Sequence, residues 1–125
     1  MQLNHLNLVT PDVPALCDFF TRFFGFGLLD MRGRGAFAVL RGADGFALNL
    51  MRNGRDGATA AYPDGFHVGF LVDRPDEVLA KHRELDEAGF QPGEVQRLTR
   101  GGAPTIIFYC EAPGGILVEV SATEG

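Results

Sequence analysis

Tryptophan is absent from this sequence, and cysteine occurs only twice, as Cys17 and Cys110. Two isolated thiols cannot form a disulfide framework, so a reducing cytoplasm is the expected compartment and the core has to hold the fold. No run of 18 apolar residues is present, which excludes a single helical membrane span. No charged segment followed by an apolar one opens the chain, so no secretory signal is expected. Positive charge is scarce: 11 Lys and Arg stand against 16 Asp and Glu, a net charge of −5. With no basic stripe to neutralise phosphates, nucleic acid is not an expected partner. A phosphate-cradling glycine motif is missing too. The 17 glycines mark tight strand connections instead, around a core to which 11 phenylalanines contribute. At 125 residues, 46% of them hydrophobic, the chain is expected to form a single domain, 1–125, with an ordinary core.

What the sequence does contain is a copy of itself. Gly115-Ile-Leu-Val-Glu-Val-Ser121 matches Gly45-Phe-Ala-Leu-Asn-Leu50 in its glycine start, its apolar alternation and its one polar residue, so Glu119 corresponds to Asn49. Asn4-His-Leu-Asn-Leu-Val9 and Phe66-His-Val-Gly-Phe-Leu71 each set a histidine near the start of an apolar strand. The histidines lie 62 residues apart and the stops Gly25-Phe26 and Gly89-Phe90 lie 64 apart, so the duplication runs along the whole length.

Taken in order, Leu3 to Val9 reads as a strand, with Leu3, His5, Asn7 and Val9 on one face. Thr10-Pro-Asp12 is a helix entry. Leu16, Phe19, Phe20 and Phe23 at helical spacing predict a helix from Val13 to Phe24, ended by Gly25. Strands follow near Leu28 to Met31, Ala36 to Arg41 and Phe46 to Met51. The stretch Arg52 to Ala61 is polar and aperiodic. We therefore divide the chain into module one (1–53), a linker (54–63) and module two (64–125). In module two, Phe66 to Val72 is a strand, acidic residues after Asp73 open a helix running to about Ala88, and strands lie near Glu94 to Leu98, Thr105 to Cys110 and Ile116 to Val120. The fold class is α+β, with two tandem βαβββ modules.

Strand parity turns the repeat into a site. The neighbours of each polar group are apolar: Leu6, Leu48 and Leu50, Val68, Val118 and Val120. If these face the helices, His5, Asn49, His67 and Glu119 face the opposite side. Two histidines and a glutamate form a set that Fe, Mn, Ni, Co or Zn accepts as a divalent ion, leaving positions open for substrate. A lone strand histidine is more often structural than a ligand. A carboxylate between two valines is harder to dismiss, because burying it is costly unless it is paired or metal-bound. Asn49 is at most a weak fourth ligand and suits a hydrogen-bonding place beside the ligands.

These residues carry a family resemblance. The paired βαβββ units, Asn4-His5-Leu6, Phe66-His67-Val68 and Phe108-Tyr-Cys-Glu-Ala-Pro-Gly-Gly-Ile-Leu-Val-Glu119 resemble the vicinal oxygen chelate superfamily. That group includes glyoxalase I, methylmalonyl-CoA epimerase, extradiol dioxygenases, fosfomycin-resistance transferases and bleomycin-resistance proteins. The resemblance implies a curved, cup-like mixed sheet with helices outside, one metal held by a histidine and a carboxylate or amide from each unit, and a homodimer. It also implies a small-molecule substrate whose adjacent oxygens chelate the metal. Glyoxalase I has glutamate where this chain has Asn49, and the epimerases have glutamine. Fosfomycin transferases have threonine where this chain has Asn7. Extradiol dioxygenases place a tyrosine ten residues before the glutamate, matched by Tyr109, but their acid–base histidine has Arg52 in its place. Bleomycin-binding members lack the metal ligands. The expected activity is thus glyoxalase-like lyase or isomerase chemistry, or dioxygenase chemistry, with Tyr109 and Glu119 as catalytic candidates. The rival is a protein that sequesters an antibiotic or other ligand without turnover.

Of the remaining candidates, Arg32, Arg34 and Arg100, which flank glycines, and Arg97 near them are read as solvated loop arginines that could hold a substrate carboxylate or phosphate. His82 is read as a surface residue, and Cys17 and Cys110 as packing groups without chemistry.

Overall fold

Asp12 shows how the sequence starts its first helix. Its Oδ1 accepts the Ala15 N–H at 3.1 Å, and Pro14 sits in the first turn, where a missing N–H costs nothing. The computed structural model describes residues 1–53 and 61–125; most of the expected linker, 54–60, lies outside the described residues. The chain divides into two compact units, Met1–Ala61 with Pro113–Gly115, and Tyr62–Ala112 with Ile116–Gly125.

The first unit runs β1 (His5–Thr10), α1 (Val13–Phe23), β2 (Gly27–Arg32), β3 (Phe37–Arg41) and β4 (Ala47–Arg52). Its sheet has the order β1-β4-β3-β2, with β1 and β4 parallel and the other pairs antiparallel. Leu8, Leu40, Leu48 and Leu50 lie at the sheet positions of one parity, and with Leu16, Phe19 and Phe20 of α1 they are wholly buried or nearly so. Phe19 and Phe20 meet edge to face at 5.5 Å, and Phe26 packs against Phe20 at 5.9 Å. Gly25 takes φ +72° directly after the helix, and the Phe26 N–H reaches back to the Phe20 carbonyl.

The second unit repeats the plan with β5 (His67–Leu71), α2 (Pro75–Glu87), β6 (Gln96–Arg100), β7 (Ala103–Glu111) and β8 (Leu117–Thr123), in the order β5-β8-β7-β6. β5 and β8 are parallel, as β1 and β4 are. Glu77 accepts the Arg74 backbone N–H at 2.9 Å, so the acidic first turn caps its own helix. Gly89 at φ +89° and the Phe90 N–H to Leu85 carbonyl bond end α2, the counterpart of Gly25-Phe26. α2 lies on β7 and β8, and Val78, Leu85, Ile106, Phe108, Val118 and Val120 form the core there. The expected α+β class and the two βαβββ modules are what the structure has.

Three local expectations change. Leu3 is 82% exposed and precedes β1 rather than joining it. The strand expected at Glu94 to Leu98 lies two residues later, because Gly101 and Gly102, both at positive φ, turn the chain between the paired Arg100 and Ala103. Arg97 and Arg100 are therefore strand residues, not loop residues. His82 is half-buried: its Nε2 lies 2.9 Å from the Gly93 carbonyl and its ring meets Phe108 edge-on at 5.1 Å.

Cys17 and Cys110 are free and buried, and burial pushes both thiols above their ordinary values. Neither is expected to react with Ellman's reagent at pH 7.5 in the native protein, whereas both react in urea. A fast native thiol would contradict the burial.

Candidate functional site

The chemistry-bearing residues follow from the parity of the two sheets. In the second unit, β8 lies between β5 and β7, and its middle residue Glu119 pairs with Gly69 on one side and Tyr109 on the other. Val118 and Val120 point to the side where α2 packs, so Glu119 points away from the helix, as His67, two residues before Gly69, also does. Glu119 is nevertheless 4% exposed. A buried carboxylate needs partners, and it has several.

Arg100, at the end of β6, lays its guanidinium across both oxygens: Nη1 donates to Oε1 at 2.8 Å and Nη2 to Oε2 at 2.9 Å. This fork is the strong geometry for a guanidinium and a carboxylate. Tyr109 stands directly opposite Glu119 in the β7–β8 register. His67 Nε2 lies 3.2 Å from Oε2, and the His67 and Tyr109 rings meet edge to face at 5.8 Å. Chiefly through the Arg100 hydrogen bonds, the Glu119 carboxyl is held below the usual carboxylate range. Tyr109 is shifted the other way: burial comes first, and the adjacent Glu119 carboxylate second, in raising its hydroxyl. Arg100 is held more firmly protonated by Glu119.

His67 has a defined orientation. Its Nδ1 lies 2.8 Å from the Gly65 carbonyl, which can only accept, so Nδ1 carries a proton. In the neutral ring Nε2 then presents a lone pair toward Glu119. Metal-binding histidines are commonly arranged this way, one nitrogen tied to a carbonyl and the other free to coordinate. Bonds of about 2.0–2.2 Å to a shared ion, at right to tetrahedral angles, set two donors about 3.0–3.5 Å apart. The His67–Glu119 spacing lies in that interval, so this pair fits a divalent ion. Arg100 is the competing cation on Glu119.

In the first unit, His5 and Asn49 have the strand parity opposite to the buried Leu8, Leu48 and Leu50. His5 pairs with Ala47, and Asn49 lies between Asn7 on β1 and Val39 on β3. His5 is exposed, with Nδ1 2.8 Å from Asn4 Oδ1, which again leaves Nε2 outward. Of the expected set, then, His67, Tyr109 and Glu119 come together in one unit, while His5 and Asn49 belong to the other. Among the described residues, no three His, Cys, Asp or Glu side chains are grouped as a metal cluster. Of the arginines, Arg97 bonds Glu124 at 2.8 Å and Arg32 bonds Asp30. Arg100 is the residue that sequence reasoning placed wrongly, as a solvated loop group. The missed signal is the Gly101-Gly102 pair, which marks a two-residue hairpin and so places Arg100 on a strand.

The Glyoxalase/Bleomycin resistance protein/Dioxygenase superfamily model matches residues 2–120. Among solved structures, a possible glyoxalase from Bacillus cereus is 39% identical, with 96% of this chain and 97% of that one covered and a TM-score of 0.75. Lactoylglutathione lyase from Agrobacterium tumefaciens is 18% identical, with 97% and 92% covered and a TM-score of 0.74. A glyoxylase/bleomycin resistance protein/dioxygenase domain from Frankia sp. EAN1pec is 20% identical, with 99% and 93% covered and a TM-score of 0.80. The last two likenesses, at such low identity, speak for the fold alone. No curated protein sequence gives a significant match.

Proposed function

Because the chain belongs to the Glyoxalase/Bleomycin resistance protein/Dioxygenase superfamily, we propose that it is a divalent-metal-dependent enzyme acting on a small molecule with two adjacent oxygens. His5, His67 and Glu119 are the metal ligands in this reading, and Asn49 stands beside them as a hydrogen-bonding neighbour or weak ligand. The observation that supports it best is His67: Nδ1 tied to a carbonyl, and Nε2 at 3.2 Å from a buried carboxylate. The 39%-identical structure, a possible glyoxalase, favours glyoxalase-like lyase or isomerase chemistry over ring cleavage.

A bound Fe, Mn, Ni, Co or Zn ion supplies Lewis acidity toward the substrate oxygens. The chain's own groups do the remainder. Glu119 supplies the negative charge, and the strand pairing of β8 with both neighbours fixes its position. Tyr109, opposite Glu119 in the register, supplies a hydroxyl that donates to an oxygen on which charge develops. Gly69 leaves the sheet surface beside Glu119 without a side chain, so a substrate can approach closely. The working form is a homodimer in a reducing cytoplasm, supported by exposed Leu28, Leu29 and Met31 on β2 and by two buried, unpaired thiols.

A second reading, ligand sequestration without turnover, is favoured by one observation: Arg100 satisfies Glu119 with no metal. Metal analysis of the purified protein and of His67→Ala separates the two. The enzyme reading expects about one ion per chain, lost in the variant. A metal-free protein that binds small molecules tightly would overturn it. Turnover of a dicarbonyl–thiol hemithioacetal, against oxygen uptake with catechols, then assigns the reaction.

A further inference from the structure

The fork of Arg100 on Glu119 satisfies the carboxylate with a cation that belongs to the chain. Both oxygens are engaged, at 2.8 and 2.9 Å, on a side chain that is 5% exposed. A divalent ion taking Glu119 competes with this guanidinium, since both oxygens are already engaged and two cations on one carboxylate repel each other. Displacement is open to Arg100 for two reasons. Its side chain is 47% exposed, so water can solvate the charge it carries away. It also ends the edge strand β6, every residue of which is exposed, beside a Gly101-Gly102 turn. Once displaced, the guanidinium is a planar fork without its carboxylate, held next to the ion's ligands. Such a fork matches a carboxylate, phosphate or phosphonate.

Resting on the metal reading above, we infer that Arg100 is a resident counter-cation that competes with the metal for Glu119 and, when displaced, binds an anionic group of the substrate. The substrate class is thereby narrowed to small molecules that carry an oxyanion next to their chelating oxygens. Coupling between the two events is reciprocal: an anion that draws Arg100 off Glu119 tightens metal binding by the factor by which metal tightens the anion. The protein thus holds metal weakly when no substrate is present and firmly when one is. Arg100 acts on the metal through Glu119, so with respect to the ion it is a positioning residue.

The test uses the full chain, stripped with chelator and titrated with Ni²⁺ by calorimetry. Arg100→Gln is expected to bind Ni²⁺ at least tenfold more tightly than the parent, because Glu119 loses its competitor. Adding methylphosphonate is expected to tighten Ni²⁺ binding to the parent fivefold or more and to leave Arg100→Gln unchanged. Arg100→Lys, which keeps the charge without the fork, falls between them and guards against a folding defect. Equal or weaker Ni²⁺ binding by Arg100→Gln, with parent binding still abolished by His67→Ala, overturns this inference and leaves the metal reading standing. Ni²⁺ binding that is absent from every variant, or indifferent to His67→Ala, overturns both.

Discussion

Gly114→Ala is expected to destabilise the protein by about 2–6 kcal/mol, combining about 1–3 for a backbone conformation that L-residues avoid with about 1–3 for overpacking. Gly114 has φ +91°, where a Cβ strains the chain. That Cβ would also stand 2.3 Å from Thr10 Oγ1 and 3.3 Å from Pro11 Cδ. Thr10 cannot step aside freely: it is completely buried, and its Oγ1 accepts the Asp12 N–H at 3.3 Å, at the start of α1. The two contributions can be separated. In a Thr10→Ala background the 2.3 Å collision disappears, leaving the backbone strain and the 3.3 Å contacts to Pro11 Cδ and the residue-10 Cβ, so the double-mutant cycle should show coupling on the order of 1 kcal/mol or more. Urea unfolding of the four proteins measures this directly. A Gly114→Ala protein within about 0.5 kcal/mol of the parent, the range of a neutral surface change, would show that the turn relaxes around the added methyl.

Glu119→Gln should cost stability in a manner that depends on pH. Glu119 ionises below its ordinary value when folded, chiefly because Arg100 donates to it. A depressed carboxyl contributes stability that is present above its unfolded value, about 4.3, and is lost as pH falls through the lower folded value. At pH 7, with chelator present, the parent should exceed Glu119→Gln by about 1–3 kcal/mol, the scale of hydrogen bonds to a charged partner. The difference should shrink below pH 4 and vanish once the folded-state carboxyl is protonated. A gap that stays constant from pH 7 to pH 2.5 would mean that glutamine packs badly and that the charge is irrelevant.

The architecture was legible because it is written twice. The helix stops at Gly25 and Gly89 and the alternation in Ala47–Leu50 and Leu117–Val120 each carried a local physical signal, and the second copy supported the first. His67, Tyr109 and Glu119 were found together because parity alone assigns a strand residue to a face, and all three lie on well-patterned strands. Arg100 escaped because Gln96-Arg-Leu-Thr-Arg100 has no apolar alternation: an exposed edge strand has no buried face to write into its sequence. His82 escaped for a related reason. Its flanking Lys81 and Arg83 suggest solvent, yet its ring reaches across to Phe108 and the Gly93 carbonyl, partners far away in sequence. Neighbours along the chain describe a helix face poorly when one residue on it bridges to a loop.

The parallel pairing of β5 with β8 has a consequence for how the protein is made. His67 meets Leu117 fifty residues later, and β8 is an interior strand of its sheet rather than an edge. During synthesis, β5 and β7 must therefore wait for β8 before either gains its shared neighbour, and contacts of such long sequence separation slow folding. Glu119 is made after both His67 and Tyr109, so a nascent chain carries those two side chains in an unfinished sheet until β8 has followed them.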